Sequence, residues 1–228
     1  MNKNSKYLPF LGMLVLTVMY LDSLLEYKPL SMPFGVMMAS SFVFPLWFIL
    51  TDIITEIYGP KVSKRVLWAA FSCQVIVSIV TQIIIHLKSP ATWHNQAAFD
   101  LILGNFPRIT LSNFVSIMLS GYININLLSK WKLLLQGRFF WLRSIGASAI
   151  AEIIYSSCAV FLIGYSIFTL HQIFMMIIWS CIMKFIYSII LAAPGTLVVA
   201  YLKDAEGVRY QFNKNPLSTG KEEITTAT

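Results

Sequence analysis

Charged residues are scarce in this chain. They make up 12% of it, against about 25% in soluble domains, while hydrophobic residues make up 57% and the mean hydropathy is +0.70. A chain this apolar cannot be coated in water, so an integral membrane protein is expected. Cysteine is scarce too. Cys73, Cys158 and Cys181 lie far apart inside apolar runs, form no CxxC pair or metal spacing, and read as small hydrophobes. His86, His94 and His171 show no metal-ligand spacing with a carboxylate, so neither a metal nor a cofactor is expected. There is no phosphate loop, no GxSxG and no HExxH, which argues against an ATPase and against a membrane enzyme acting on a lipid or a modified base. Lys3 and Lys6 precede an apolar run without a small-residue cleavage site, so no signal peptide is expected.

Long apolar runs are what the chain does have. A bilayer core of about 30 Å takes roughly 20 apolar residues per helix. Six segments qualify: Tyr7 to Leu25, Phe34 to Tyr58, Val66 to Leu87, Ile109 to Leu128, Ser144 to Tyr165 and Gln172 to Tyr201. These runs are too continuous for the alternating strands of a barrel, so the expected fold class is all-α with six transmembrane helices. Pro194-Gly195 marks the place where the last span is expected to kink or break. The loop from Lys88 to Arg108 is long, and its middle, AAFDLILGNF, fits a short helix at the interface or folded back onto the protein. The expected domains are a transmembrane domain over 1–203 and a polar, partly disordered cytoplasmic tail over 204–228.

The net charge of +7 follows the connections rather than any nucleic-acid footprint. Thirteen Lys and Arg fall at the N-terminus, in the second-to-third and fourth-to-fifth connections and in the tail, against Lys28, Lys88 and Arg108 in the others. The positive-inside rule then places both termini in the cytoplasm. Six spans require both termini on one side, so the count and the charge agree. The Trp93-containing loop faces outward.

The chain is organised around FPLWFILTDIITEIYGPKVSKR, Phe44 to Arg65. Asp52 and Glu56, four residues apart, share a helix face. Acids at the bilayer centre are expensive, roughly 2.5–3.5 kcal/mol each, so that face must meet protein, water or a ligand. Salt bridges to Lys61, Lys64 or Arg65 are the bland alternative. Lys184 stands mid-span with Ser180 and Ser188 on its face and reads either as a counter-ion or as a donor to a ligand. Glu152 has Ser148, Tyr155 and Ser156 on adjacent turns. It can pair with Lys184, or accept two parallel hydrogen bonds from a purine edge that presents a ring N–H beside an amino group. The stripes Asn113, Ser116, Ser120, Asn124 and Gln74, Ser78, Thr81, Gln82 fit hydrogen bonding between helices.

Several of these residues together resemble a known family. Lys28, the FP, TD and E-x-Y-G elements of the second span with their basic pair, Trp93-His94-Asn95-Gln96-Ala97-Ala98-Phe99, Pro107-Arg108-Ile109, Trp141-Leu142-Arg143, and Lys184 with Pro194 ten residues on resemble the bacterial queuosine precursor transporters. The resemblance covers nearly all of the chain except the tail. It implies a six-helix bundle similar to the substrate-binding subunits of energy-coupling-factor vitamin transporters. It also implies uptake of 7-deazaguanines: the cyano or aminomethyl base in some relatives, queuine in others. The chain departs from the pattern at Tyr155, where the family usually has an acid, and at Glu152, where it has an amide. Tyr122 and Ser23 replace a common glutamine and asparagine.

The resulting expectation is a non-enzymatic importer of a 7-deazapurine in the bacterial inner membrane. Asp52, Glu56, Glu152 and Lys184 form its polar site, Trp93 and Phe99 stack on the ring, and Gln96 and Arg108 join them from the resembling motifs. The runner-up is a binding subunit for a vitamin-like ligand that works with a separate ATPase module. Apart from substrate and lipid, the candidate partners are a second copy or such a coupling module, with no role for nucleic acid.

Overall fold

The computed structural model describes residues 5–26, 28–33, 35–90, 92–165, 168–210 and 224–226. Lys3, most of the tail with Lys214 and Lys221, and the expected start of the second span at Phe34 lie outside the described residues. The order is α1 (Leu8–Leu25), a hairpin of β1 (Pro29–Met32) and β2 (Gly35–Met38), a 3-10 turn (Ala39–Phe42), α2 (Phe44–Tyr58), α3 (Pro60–Ile85), α4 (Gln96–Leu103), α5 (Phe106–Leu134), α6 (Phe140–Gly164) and α7 (Leu170–Ala205). A second antiparallel pair, β3 (Val208–Tyr210) with β4 (Ile224–Thr226), follows.

Proline sets several of these starts. It stands in the first turn of α1, α2, α3 and α5, where its fixed φ suits the helix and its missing N–H is not needed. Gly59 ends α2 at φ +86°, a conformation that favours glycine, and Pro60 opens α3 at once. The third and fourth long helices therefore begin earlier than apolarity alone indicated, at Pro60 and Phe106. The second begins later. Before it, residues 35–42 form β2, with Val36 opposite Ser31 and Met37 opposite Leu30, and then the 3-10 turn. α7 runs unbroken through Pro194. There the helix lies close against α2: a Cβ on Gly195 would come within 2.5 Å of Ile49 Cδ1.

Among the described residues five helices are long and apolar enough to cross a membrane, namely α1, α3, α5 with α4 before it, α6 and α7. α2 differs. At about 1.5 Å per residue its 15 residues span roughly 22 Å, and 11 of them are buried. It is the central helix, in contact with α1, α3, α5, α6 and α7. Its apolar face holds Phe44, Trp47, Phe48, Ile53, Ile54 and Ile57 in the core.

Burial is inverted relative to a water-soluble protein. Ile76, Ile83, Leu111, Ile153, Phe174, Ile190 and Leu197 are exposed. Asp22, Glu26, Asp52, Glu56, Asn113, Asn124, Arg143, Glu152 and Lys184 are buried. Exposed apolar area of this extent is stable only against lipid. The helix bundle expected from the apolar runs is present, α4 is the short helix expected in the 88–108 loop, and the hairpin is an addition.

Candidate ligand site

The polar interior is threaded between the helices. On α6, Ser144, Ser148, Glu152 and Ser156 recur every fourth residue and so share one face. On α7, Ser180, Lys184 and Ser188 do the same. These faces meet each other and α2. Asp52 accepts hydrogen bonds from Asn124 Nδ2 (2.5 Å), Ser144 Oγ (2.5 Å) and Ser148 Oγ (3.3 Å). One turn further along α6, Glu152 Oε1 accepts from Ser188 Oγ at 2.7 Å. A further turn on, Ser156 Oγ accepts from Lys184 Nζ at 3.0 Å.

Next to Lys184 lies a cluster that sequence reasoning missed. Asp22 on α1 and Glu26, which caps its C-terminal end, are four residues apart and only 2% and 4% exposed. Tyr155 donates its hydroxyl to Asp22 Oδ2 (3.3 Å) and to Asn113 Oδ1 (3.2 Å) as alternative acceptors. Gln74 Nε2 and Asn113 Nδ2 both reach Ser23 Oγ, at 2.6 and 3.3 Å. The Lys184 ammonium lies over the rings of Tyr155 and Phe44, 4.4 and 4.7 Å from their centroids. Those rings are stacked 3.6 Å apart at 15°. The signal for the missed pair was in the sequence: Asp22 and Glu26 have the same four-residue spacing as Asp52 and Glu56.

Several buried acceptors here have no donor. Among the described residues Asp22 Oδ1, Glu26 Oε2, Gln74 Oε1 and Glu152 Oε2 accept no hydrogen bond. Buried polar atoms are normally satisfied, so these four stand out. A cleft lies nearby, walled by Glu26, Met38, Ser41, Tyr155, Ser180 and Lys184, with room for about one water molecule.

Glu56 lies at the other end of the bundle and is fully buried. Arg143 Nη1 meets its Oε2 at 3.0 Å and Lys203 Nζ its Oε1 at 2.7 Å, while Lys132 Nζ donates to its backbone oxygen at 3.0 Å. Its partners are thus Arg143 and Lys203 rather than Lys61, Lys64 or Arg65. Lys64 bonds Asn126 Oδ1 instead. Glu206 adds a second tie at this end, accepting from Tyr7 N and Tyr58 Oη.

The structure therefore brings together Glu152 and Lys184, with Asp52 of α2 bonded to Ser148 one turn before Glu152, and sets Glu56 apart. Lys184 donates to Ser156 and makes no salt bridge to Glu152. Trp93 and Phe99 are 44% and 38% exposed, and Gln96 bonds Ser89 and Asp100 on the surface of α4. Arg108 donates Nη2 to Tyr165 O (2.6 Å) and Leu162 O (3.3 Å). It satisfies carbonyls at the C-terminal end of α6, where a cation also complements the helix dipole.

Apolar outside and polar inside, with Glu26 in the wall of an internal cleft, this is a multi-pass helical membrane protein. A family described as "Putative vitamin uptake transporter" matches residues 38–199, and the chain belongs to that family, one of transporters rather than enzymes. It is also similar to the "Probable queuosine precursor transporter" of Bacillus subtilis (strain 168), at 24% identity over 107 residues, which is 46% of this chain and 47% of the relative. The match thus spans about half the length of that curated relative. No solved structure matches the chain, so the expected likeness to energy-coupling-factor subunits has no support from a known fold.

Proposed function

We propose that this protein imports a 7-deazaguanine, a queuosine precursor or salvage base, and that the site around Lys184 binds it. The observation that carries the reading is the set of donorless acceptors Asp22 Oδ1, Glu26 Oε2, Gln74 Oε1 and Glu152 Oε2 beside a stacked aromatic pair. A deazaguanine is planar and rich in donors. Its ring N–H, exocyclic amino group and pyrrole N–H can satisfy such acceptors, its carbonyl can accept from Lys184, and its ring can stack on Phe44 or Tyr155. Charge-assisted hydrogen bonds of this kind contribute roughly 1.5–3 kcal/mol each. The cleft is smaller than a base, so entry requires the segment with Met38, Ser40 and Ser41 to move. The printed name of the Bacillus subtilis relative supports the same substrate class.

In this reading the hairpin end of the bundle faces outward. The Glu56 end, both termini and the segment from 204 onward are cytoplasmic, in the bacterial inner membrane. The test is complementation. The chain is expressed in a strain unable to make or import queuosine precursors, candidate bases are fed singly, and tRNA is assayed for queuosine. Queuosine should return with at least one deazaguanine. No return with any base, from a protein shown to be inserted, overturns the reading. Uptake that needs a co-purifying ATPase favours the binding-subunit alternative.

A further inference from the structure

We infer that the ligand is cationic, a deazapurine bearing an ammonium such as an aminomethyl group, and that Asp22 and Glu26 receive that ammonium. This rests on the reading of the site just given and adds the substituent that the site selects.

The argument begins with charge. Asp22, Glu26 and Glu152 are all buried, and the basic side chain that acts electrostatically on all three is Lys184. Three carboxyls thus share one ammonium. That ammonium donates to Ser156 and lies over the faces of Tyr155 and Phe44, and among the described residues it forms no salt bridge with any of the three. Among the described residues the other buried cations, Arg143 and Lys132, are held at Glu56. Carboxylates taken out of water without a counter-charge are unfavourable, so the site is built for a positive charge brought from outside.

Donor counting points to the same substituent. One carboxylate suffices for a guanine edge, and Glu152, with Oε2 free, is placed for it. The pair on α1 is then left over. Both residues face the same side of their helix, both are more than nine-tenths buried, each has one oxygen without a donor, and Glu26 forms part of the cleft wall. An ammonium offers three N–H donors and a charge. A nitrile offers only an acceptor, which would face carboxylate oxygens. The aromatic faces of Phe44 and Tyr155 beside the pair also favour a cation.

The experiment uses the purified full-length chain in nanodiscs and compares three ligands by calorimetry: 7-aminomethyl-, 7-cyano- and 7-methyl-7-deazaguanine. The aminomethyl base should bind at least about 10-fold more tightly than either neutral base, equivalent to about 1.4 kcal/mol. Asp22→Asn and Glu26→Gln should each lower affinity for the aminomethyl base more than for the methyl base, so that the ratio shrinks. Equal affinity of all three bases for the wild type overturns the cation inference and leaves the deazaguanine reading standing. Failure of all three to bind a monodisperse, folded protein overturns the deazaguanine reading itself. If the preference persists undiminished in both folded variants, the assignment to Asp22 and Glu26 is wrong. The wild-type comparison does not depend on any variant folding.

Discussion

Replacing Glu56 with glutamine tests whether this acid binds ligand or holds the bundle together. Its two oxygens are taken by Arg143 at 3.0 Å and Lys203 at 2.7 Å, and Arg143 is fully buried. Glutamine keeps the size but presents one donor face where both partners are donors. Breaking a buried ion pair by removing one member costs about 3–5 kcal/mol, because the other charge stays buried. The Lys203 contact adds little to that figure, since its side chain is 28% exposed and solvent screens it. For a chain of this size the loss corresponds to a fall of roughly 6–20 °C in apparent melting temperature. The assay is heating in detergent followed by size-exclusion chromatography of the surviving monodisperse fraction. Combining Glu56→Gln with Arg143→Met should recover much of the loss, because an apolar replacement of a buried pair is often neutral or stabilising. Ligand affinity per folded molecule should hardly change. A single variant that melts within about 2 °C of wild type but binds ligand poorly would refute the reasoning and make Glu56 a binding residue.

Other expectations concern the site and the topology. Glu152→Gln should weaken binding of a deazaguanine by roughly 30- to 1000-fold, a loss of about 2–4 kcal/mol, and should matter less for an analogue without the exocyclic amino group; equal losses for both ligands would make Glu152 a structural charge. Reporter fusions after Lys61 and after Arg138 should report cytoplasm and one near His94 the outside; a cytoplasmic signal near His94 contradicts the topology. Trp93→Ala and Phe99→Ala alter exposed side chains on or beside α4, so each should change stability by no more than about 0.5 kcal/mol; a large drop in affinity measured by calorimetry would show that this segment closes over the ligand.

What the sequence determined by itself is the solvent and the periodicity. Runs such as Val66 to Leu87 can be stable only in lipid, and that constraint acts on each segment separately, so the long helices were legible without any knowledge of their neighbours. The same holds for proline and glycine at helix boundaries, as at Gly59-Pro60, and for faces repeating every fourth residue, as with Ser148, Glu152 and Ser156 on α6. Asp22 and Glu26 were legible by this rule as well, although they lie near the end of a span where an acid passes for a boundary residue. Only the tertiary structure decided which charges meet. Glu56 is paired with residues 87 and 147 positions away rather than with the lysines that follow it. Chain distance says nothing about such partners, because helices packed side by side bring together residues from opposite ends of the sequence. The hairpin before α2 was likewise settled by packing: its Met38 lies against Val160, Ile173 and Met176 of α6 and α7, and an apolar segment of that length fits a helix or a strand until its neighbours choose.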